Sequence, residues 1–151
     1  MAKFVFRLQS VLNIKSRLEE QQRLNFASAR KRLDEEEEKL NKLYSRRDFY
    51  EEEGKKLREK TLVVTEILEN EEAIVRIKEY ISDQTLRVKE AEDNLELERR
   101  KLVEAMKEKK TYEKLRENAF DEFLKESSHT EAVENDEHNS FVYGRRQLSG
   151  E

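Results

Sequence analysis

From Ile74 to Phe123, apolar side chains return at alternating steps of three and four residues. The positions are Ile74, Ile77, Ile81, Gln84, Val88, Ala91, Leu95, Glu98, Leu102, Ala105, Lys109, Tyr112, Arg116, Ala119 and Phe123. Eleven of these fifteen are apolar or aromatic. A mean step of 3.5 residues keeps a narrow seam turned to one partner helix when the two wind left-handedly about each other. The spacing therefore predicts a long helix built to lie along another.

A weaker copy of the pattern precedes it. Phe26, Ala29, Leu33, Glu36, Leu40, Leu43, Arg47, Tyr50, Gly54, Leu57, Thr61, Val64 and Leu68 follow the same steps, and nine of the thirteen are apolar. Upstream, Leu18, Gln22 and Phe26 are spaced four and four, which predicts a local drift in phase. Before that, Phe4, Phe6 and Leu8 alternate, and Ser10 is a candidate N-cap for the first helix. Between the two seams, Thr61-Leu62-Val63-Val64-Thr65 has four β-branched residues in five, which lose side-chain freedom in a helix. A turn is expected within 61–71, centred near residue 66, with Thr65 and Asn70 as alternative N-caps of the second helix. A short link makes the two helices antiparallel neighbours. The expected fold is all-α, an antiparallel left-handed coiled-coil hairpin over residues 1–125. Arms of ~55–60 residues at 1.5 Å each would make a rod about 85 Å long. Gly54, inside the first arm, reads as a tolerated defect or as a site of close approach.

After Leu124 the periodicity stops. Residues 126–151 are polar and acidic, and their composition predicts a disordered tail. Phe141, Val142 and Tyr143, followed by Arg145 and Arg146, form an apolar and basic cluster there, either a chance grouping or a docking segment.

Composition narrows the function class. Charged residues make up 44% of the chain and hydrophobic ones 35%, which suits a two-residue-wide seam better than a layered core. There is no cysteine, hence no thiolate nucleophile, disulfide or thiolate metal site. His129 and His138 lack further ligands at metal-site spacing. The glycines, Gly54, Gly144 and Gly150, supply no phosphate-cradling loop, and the abundant carboxylates read as solvated helix faces. The expectation is a non-enzymatic interaction protein with no cofactor. No stretch approaches the ~20 apolar residues of a membrane span. The opening residues are interrupted by Arg7, Asn13 and Lys15, unlike a secretion signal, so a cytoplasmic location is expected.

Charge is sorted along the chain. Residues 1–34 carry a balance of +5, residues 99–116 again +5, and residues 66–98 carry −7. Folding at the turn would set the two positive stretches together, away from a negative turn end. Each end would then prefer a partner surface of opposite charge. Arg99, Arg100, Lys101, Lys109 and Lys110 are the candidate contacts of the positive end. Interleaved glutamates, a total charge of −4 and few aromatics beside the arginines argue against nucleic acid. Leu86, Leu97, Val103, Met106 and Leu115 lie off the seam and leave a monomer or a weak homo-oligomer open.

The opening Phe4-Val5-Phe6-Arg7-Leu8-Gln9-Ser10-Val11-Leu12 resembles that of FliJ-type flagellar export proteins. So does the block Glu108-Lys109-Lys110-Thr111-Tyr112-Glu113-Lys114-Leu115-Arg116-Glu117, and the likeness covers nearly the whole chain. Members often carry Gly and Ser near the turn, where this chain has Thr61 to Thr65. The resemblance implies a soluble component of the flagellar type III export apparatus, a coiled-coil stalk and general chaperone. Its implied partners are the hexameric export ATPase, the cytoplasmic domain of the membrane-embedded export gate, and export chaperones, with peripheral association at the inner membrane. It also implies gate contacts on an early strip of the second helix, where Ile77 and Ile81 stand. Alternatives from other classes are a structural coiled-coil scaffold and a prefoldin-like chaperone subunit, the latter disfavoured because five residues cannot make a β-hairpin.

Overall fold

The computed structural model describes residues 2–150. It contains two helices, α1 over Gln9–Glu59 (51 residues) and α2 over Val64–Ser149 (86 residues), and no strand among the described residues. The chain has no proline, and glutamate, lysine, arginine and leucine dominate both helices, residues that lose little freedom in a helix. Packing divides the chain into two units. One joins the chain up to Glu19 with the chain from Ala105 onward; the other is Glu20–Glu104.

In the second unit α1 and α2 run antiparallel and meet along the heptad seam, as the spacing predicts. Leu33, Val88 and Ala91 form its buried core, with Leu40 and Leu95 packed against it. Burying a leucine of this kind contributes roughly 1.5–3 kcal/mol. Two polar layers interrupt the apolar ones. The amide nitrogen of Gln84 donates to the backbone carbonyl of Glu36 at 3.0 Å and to its carboxylate. The amide of Gln22 does the same with the carbonyl of Glu98 at 3.3 Å and the Glu98 carboxylate. The two layers are reciprocal, because each helix gives a glutamine to one and a glutamate to the other. The residues between them match as well: Gln22, Phe26, Ala29, Leu33 and Glu36 on α1 repeat as Gln84, Val88, Ala91, Leu95 and Glu98 on α2. This stretch of the hairpin therefore has a local pseudo-two-fold midway between Ala29 and Ala91.

In the first unit the N-terminal residues are fastened to α2. Phe6 and Leu12 are buried. The Phe4 ring lies 5.1 Å from that of Phe120 and 5.4 Å from that of Phe123, and Arg116 sits 5.5 Å over its face. Arg116 also donates to Gln9 Oε1 at 3.0 Å. Lys15 pairs with Glu108 at 2.9 Å.

Several sequence expectations change. The seam of α1 does not drift upstream: Leu18 is exposed, whereas Leu12 and Glu19 are buried and Lys15, Gln22 and Phe26 half-buried. Steps of three and four thus continue to Leu12 through polar residues that find polar partners. Ser10 is not the N-cap, since α1 starts at Gln9, whose N–H is held by the Phe6 carbonyl at 3.1 Å. Anchoring of Phe4 and Phe6 sets that start. The link is residues 60–63, earlier than a centre near 66, so α1 gives way where the β-branched run begins. Thr65 lies inside the first turn of α2, while the Val63 carbonyl accepts from the Ile67 N–H at 3.2 Å. Asn70 is no cap either; it is a buried seam residue. Finally, the tail assigned to disorder is helical through Ser149. Its residues 128–141 are all exposed, so this part of the helix is not held by packing against α1.

Candidate partner-binding surfaces

Arg99, Arg100 and Lys101 lie on the α2 part of the second unit. Their charges are partly spent on their own helix. Arg99 holds Glu96 with two nitrogens, at 2.7 and 2.9 Å, and Arg100 Nε reaches the same carboxylate at 3.2 Å. The hydrogen bonds from Arg99 come first among the causes that bring the Glu96 carboxyl down to about 2, with the positive charges of both arginines adding to them. Lys101 pairs with Glu98 at 3.6 Å. All three cations remain more than half exposed, so a partner can compete for them. Exposed pairs of this kind contribute little to stability.

Lys109 and Lys110 belong to the first unit and part company there. Lys109 is a seam residue, 3.8 Å from the buried Glu19 and 3.9 Å from Glu113. Its task is internal, since an unpaired buried carboxylate would be costly. Lys110 faces solvent. It lines a shallow groove with Lys107, Thr111, Lys114 and Leu115. Lys107 was already legible from sequence as part of the positive end; Lys114 was not singled out as a contact, although its spacing of four from Lys110 on a helix is the signal that would have found it.

Ile77 is buried in the second unit and Ile81 is half-buried, both on the seam. Contact through these side chains requires the seam to open. The apolar surface beside them lies on other residues: Leu68 and Val75 are each more than half exposed and, with Glu71, Glu72 and Arg76, line a shallow groove. Leu62, Val63 and Val64 in and next to the link are exposed as well. Sequence reasoning had assigned Leu68 and Val64 to the α1 seam, which ends instead at Leu57.

No group of three or more His, Cys, Asp or Glu able to hold a metal occurs among the described residues. No helix among them is long and apolar enough to cross a membrane. The grooves are open helix faces, suited to a second protein surface rather than to a small substrate.

Comparison with known proteins gives two matches. The family model described as flagellar FliJ protein matches residues 4–148. Among solved structures, a YscO homolog, CT670 from Chlamydia trachomatis, has a TM-score of 0.62 at 24% sequence identity, covering 97% of this chain and 99% of that one. That likeness is one of fold. No curated protein sequence matches significantly.

Proposed function

The chain belongs to the flagellar FliJ protein family, and on that premise we propose that it is the coiled-coil stalk of a type III export apparatus. We take it as a non-catalytic component associated with such export, the reading that family membership supports. In this reading the protein links the export ATPase ring to the cytoplasmic domain of the export gate and also receives export chaperones. Its attachment at the membrane face runs through the gate.

The observation that carries the proposal is the closure of the seam within the chain. Leu33, Val88 and Ala91 are buried, and the Gln84–Glu36 and Gln22–Glu98 layers satisfy each other's polar groups. The outer faces are therefore what partners meet. These faces are sorted: arginines and lysines at 99–101 and at Lys107, Lys110 and Lys114, and exposed apolar residues with acids at Leu68, Glu71, Glu72 and Val75. Charge complementarity chiefly governs encounter rate and register. We assign the basic faces to the ATPase and the Leu68–Val75 face to the gate.

The test is the association rate with purified export ATPase at low and moderate salt. Arg99→Glu/Arg100→Glu/Lys110→Glu should bind at least about tenfold more slowly at low salt, with a flatter salt dependence and unchanged helix content. Leu68→Ser/Val75→Ser should leave that rate alone and weaken capture of the gate domain. Wild-type rates for the charge-reversed chain at low salt would remove the basis of the assignment.

A further inference from the structure

The reversal between α1 and α2 is held by very little. Residues 60–63 contain neither glycine nor proline. No residue with described backbone has a positive φ, so α1 ends without the left-handed C-cap that commonly locks a helix terminus. The link also leaves apolar surface in water: Leu62 is 64% exposed, Val63 45%, Val64 67% and Leu68 53%. Soluble hairpins usually place polar turn residues at such a site.

The seam itself almost passes through the link. Carried forward from Gly54 and Leu57, the α1 steps reach Thr61, Val64 and Leu68. Carried backward from Ile74 and Asn70, the α2 steps reach Ile67, Val63 and Lys60. The two frames differ by one residue, a discontinuity that a continuous coiled coil absorbs by local overwinding. Every seam contact in Glu20–Glu104 joins α1 to α2, and the Gln84–Glu36, Gln22–Glu98 and Asn70–Tyr50 hydrogen bonds fix the register between them. Those contacts are indifferent to whether α2 comes from the same chain.

We propose that the protein exchanges α2 arms with a second copy of itself. Residues 60–63 become helical, α1 of each copy pairs with α2 of the other in the hairpin's own register, and the two links cross antiparallel. Val63, Val64 and Leu68 of one copy then cover those of its partner, which supplies the burial that the hairpin denies them. A short hinge between elements that pair identically within and between chains is the usual route to such exchange. The exchanged dimer also hides the Leu62–Leu68 surface from any other partner.

The full chain allows a direct test, because it has no cysteine of its own. Two differently tagged chains, Ala29→Cys and Ala91→Cys, are mixed, unfolded, refolded together over about a thousandfold range of concentration, and sized by light scattering. A short thiol crosslinker then reports which positions lie across from each other in dimers. Exchange is expected to give a dimer fraction that rises with concentration and crosslinks that join position 29 of one chain to position 91 of the other. Thr61→Ala should raise the dimerisation constant about tenfold, and Thr61→Gly should lower it about threefold, from helix propensity alone. Both hinge variants keep the monomer's helix content, since 60–63 is not helical there. Monomers at every concentration would overturn the proposal. So would dimers crosslinked 29 to 29 only, or a dimer fraction blind to the hinge substitutions.

Discussion

The side chain of Asn70 occupies the space that a Cβ on Gly54 would need. Its Oδ1 lies 2.5 Å from that position, while its Nδ2 donates to the Tyr50 carbonyl at 2.9 Å. Glycine inside α1 is therefore a site of close approach between two helices. Asn70 is buried, and its Oδ1 has no hydrogen-bond partner in the structure. Buried asparagine at a seam position is a known means of fixing register at some cost in stability.

Gly54→Ala follows from this pair. At an exposed helical site the change would add about 1 kcal/mol. Here the new methyl displaces Asn70 and forfeits its hydrogen bond, leaving a buried amide at a cost of about 1–3 kcal/mol. The expected outcome is a net loss of stability in denaturant melts, reversed in Gly54→Ala/Asn70→Ala. A stabilised single variant would show that Asn70 moves aside freely.

The Gln84–Glu36 layer should behave as a unit. Gln84→Leu removes the donor of a buried carboxylate and is expected to cost about 2–4 kcal/mol. Glu36→Leu/Gln84→Leu should recover most of that loss, since an apolar pair of similar volume is often neutral or better. A double-mutant cycle with no coupling would contradict the geometry.

Acid should act on the same layer with a definite sign. The amide of Gln84, helped by Lys39 and Arg32, holds the Glu36 carboxyl below its ordinary value. A group depressed on folding stabilises fully above its unfolded pKa, and that contribution is lost as pH falls through the folded one. Glu96, brought down to about 2 chiefly by Arg99, should keep its charge well below its ordinary titration range. Carboxyl carbon chemical shifts followed from pH 6 downward check this, with Arg99→Ala raising the Glu96 midpoint. An unchanged midpoint in that variant would mean the Arg99–Glu96 fork does not persist in solution.

Leu95 and Leu97 give a test of the seam. Leu95 packs on the core of the second unit, whereas Leu97 is about half exposed. Leu95→Asp desolvates a carboxylate and is expected to cost several kcal/mol, Leu97→Asp within about 0.5 kcal/mol. Equal losses in thermal melts followed by circular dichroism would mean a different register.

The α2 seam was legible residue by residue, because Ile, Val, Leu and Ala stand at its positions from Ile74 onward. Between Leu12 and Phe26 the α1 seam was not. Its positions are Lys15, Glu19 and Gln22, and a search for apolar spacing passes over polar residues whose partners, Glu108, Lys109 and Glu98, lie on the other helix. The position of the link was blurred by a β-branched run that tolerates both turn and helix, and by an asparagine that reads as a cap when its partner Gly54 is unseen. The basic clusters were visible as composition. That Glu96 gathers Arg99 and Arg100, that Lys109 turns inward and that Leu68 and Val75 face outward are facts of side-chain direction, which spacing alone does not carry.

The reciprocal glutamine–glutamate layers have a mechanical consequence. They lie two heptads apart on each helix. Sliding α2 along α1 by one heptad in either direction leaves most apolar layers matched, yet it sets Glu36 against Ile77 or Ala91 and Gln84 against Ala29 or Leu43. A buried carboxylate then loses its donor, and the hairpin has no low-energy stop between registers. A pull or push applied to one helix of Glu20–Glu104 is therefore passed whole to the other, as in a keyed shaft, instead of being dissipated by slippage.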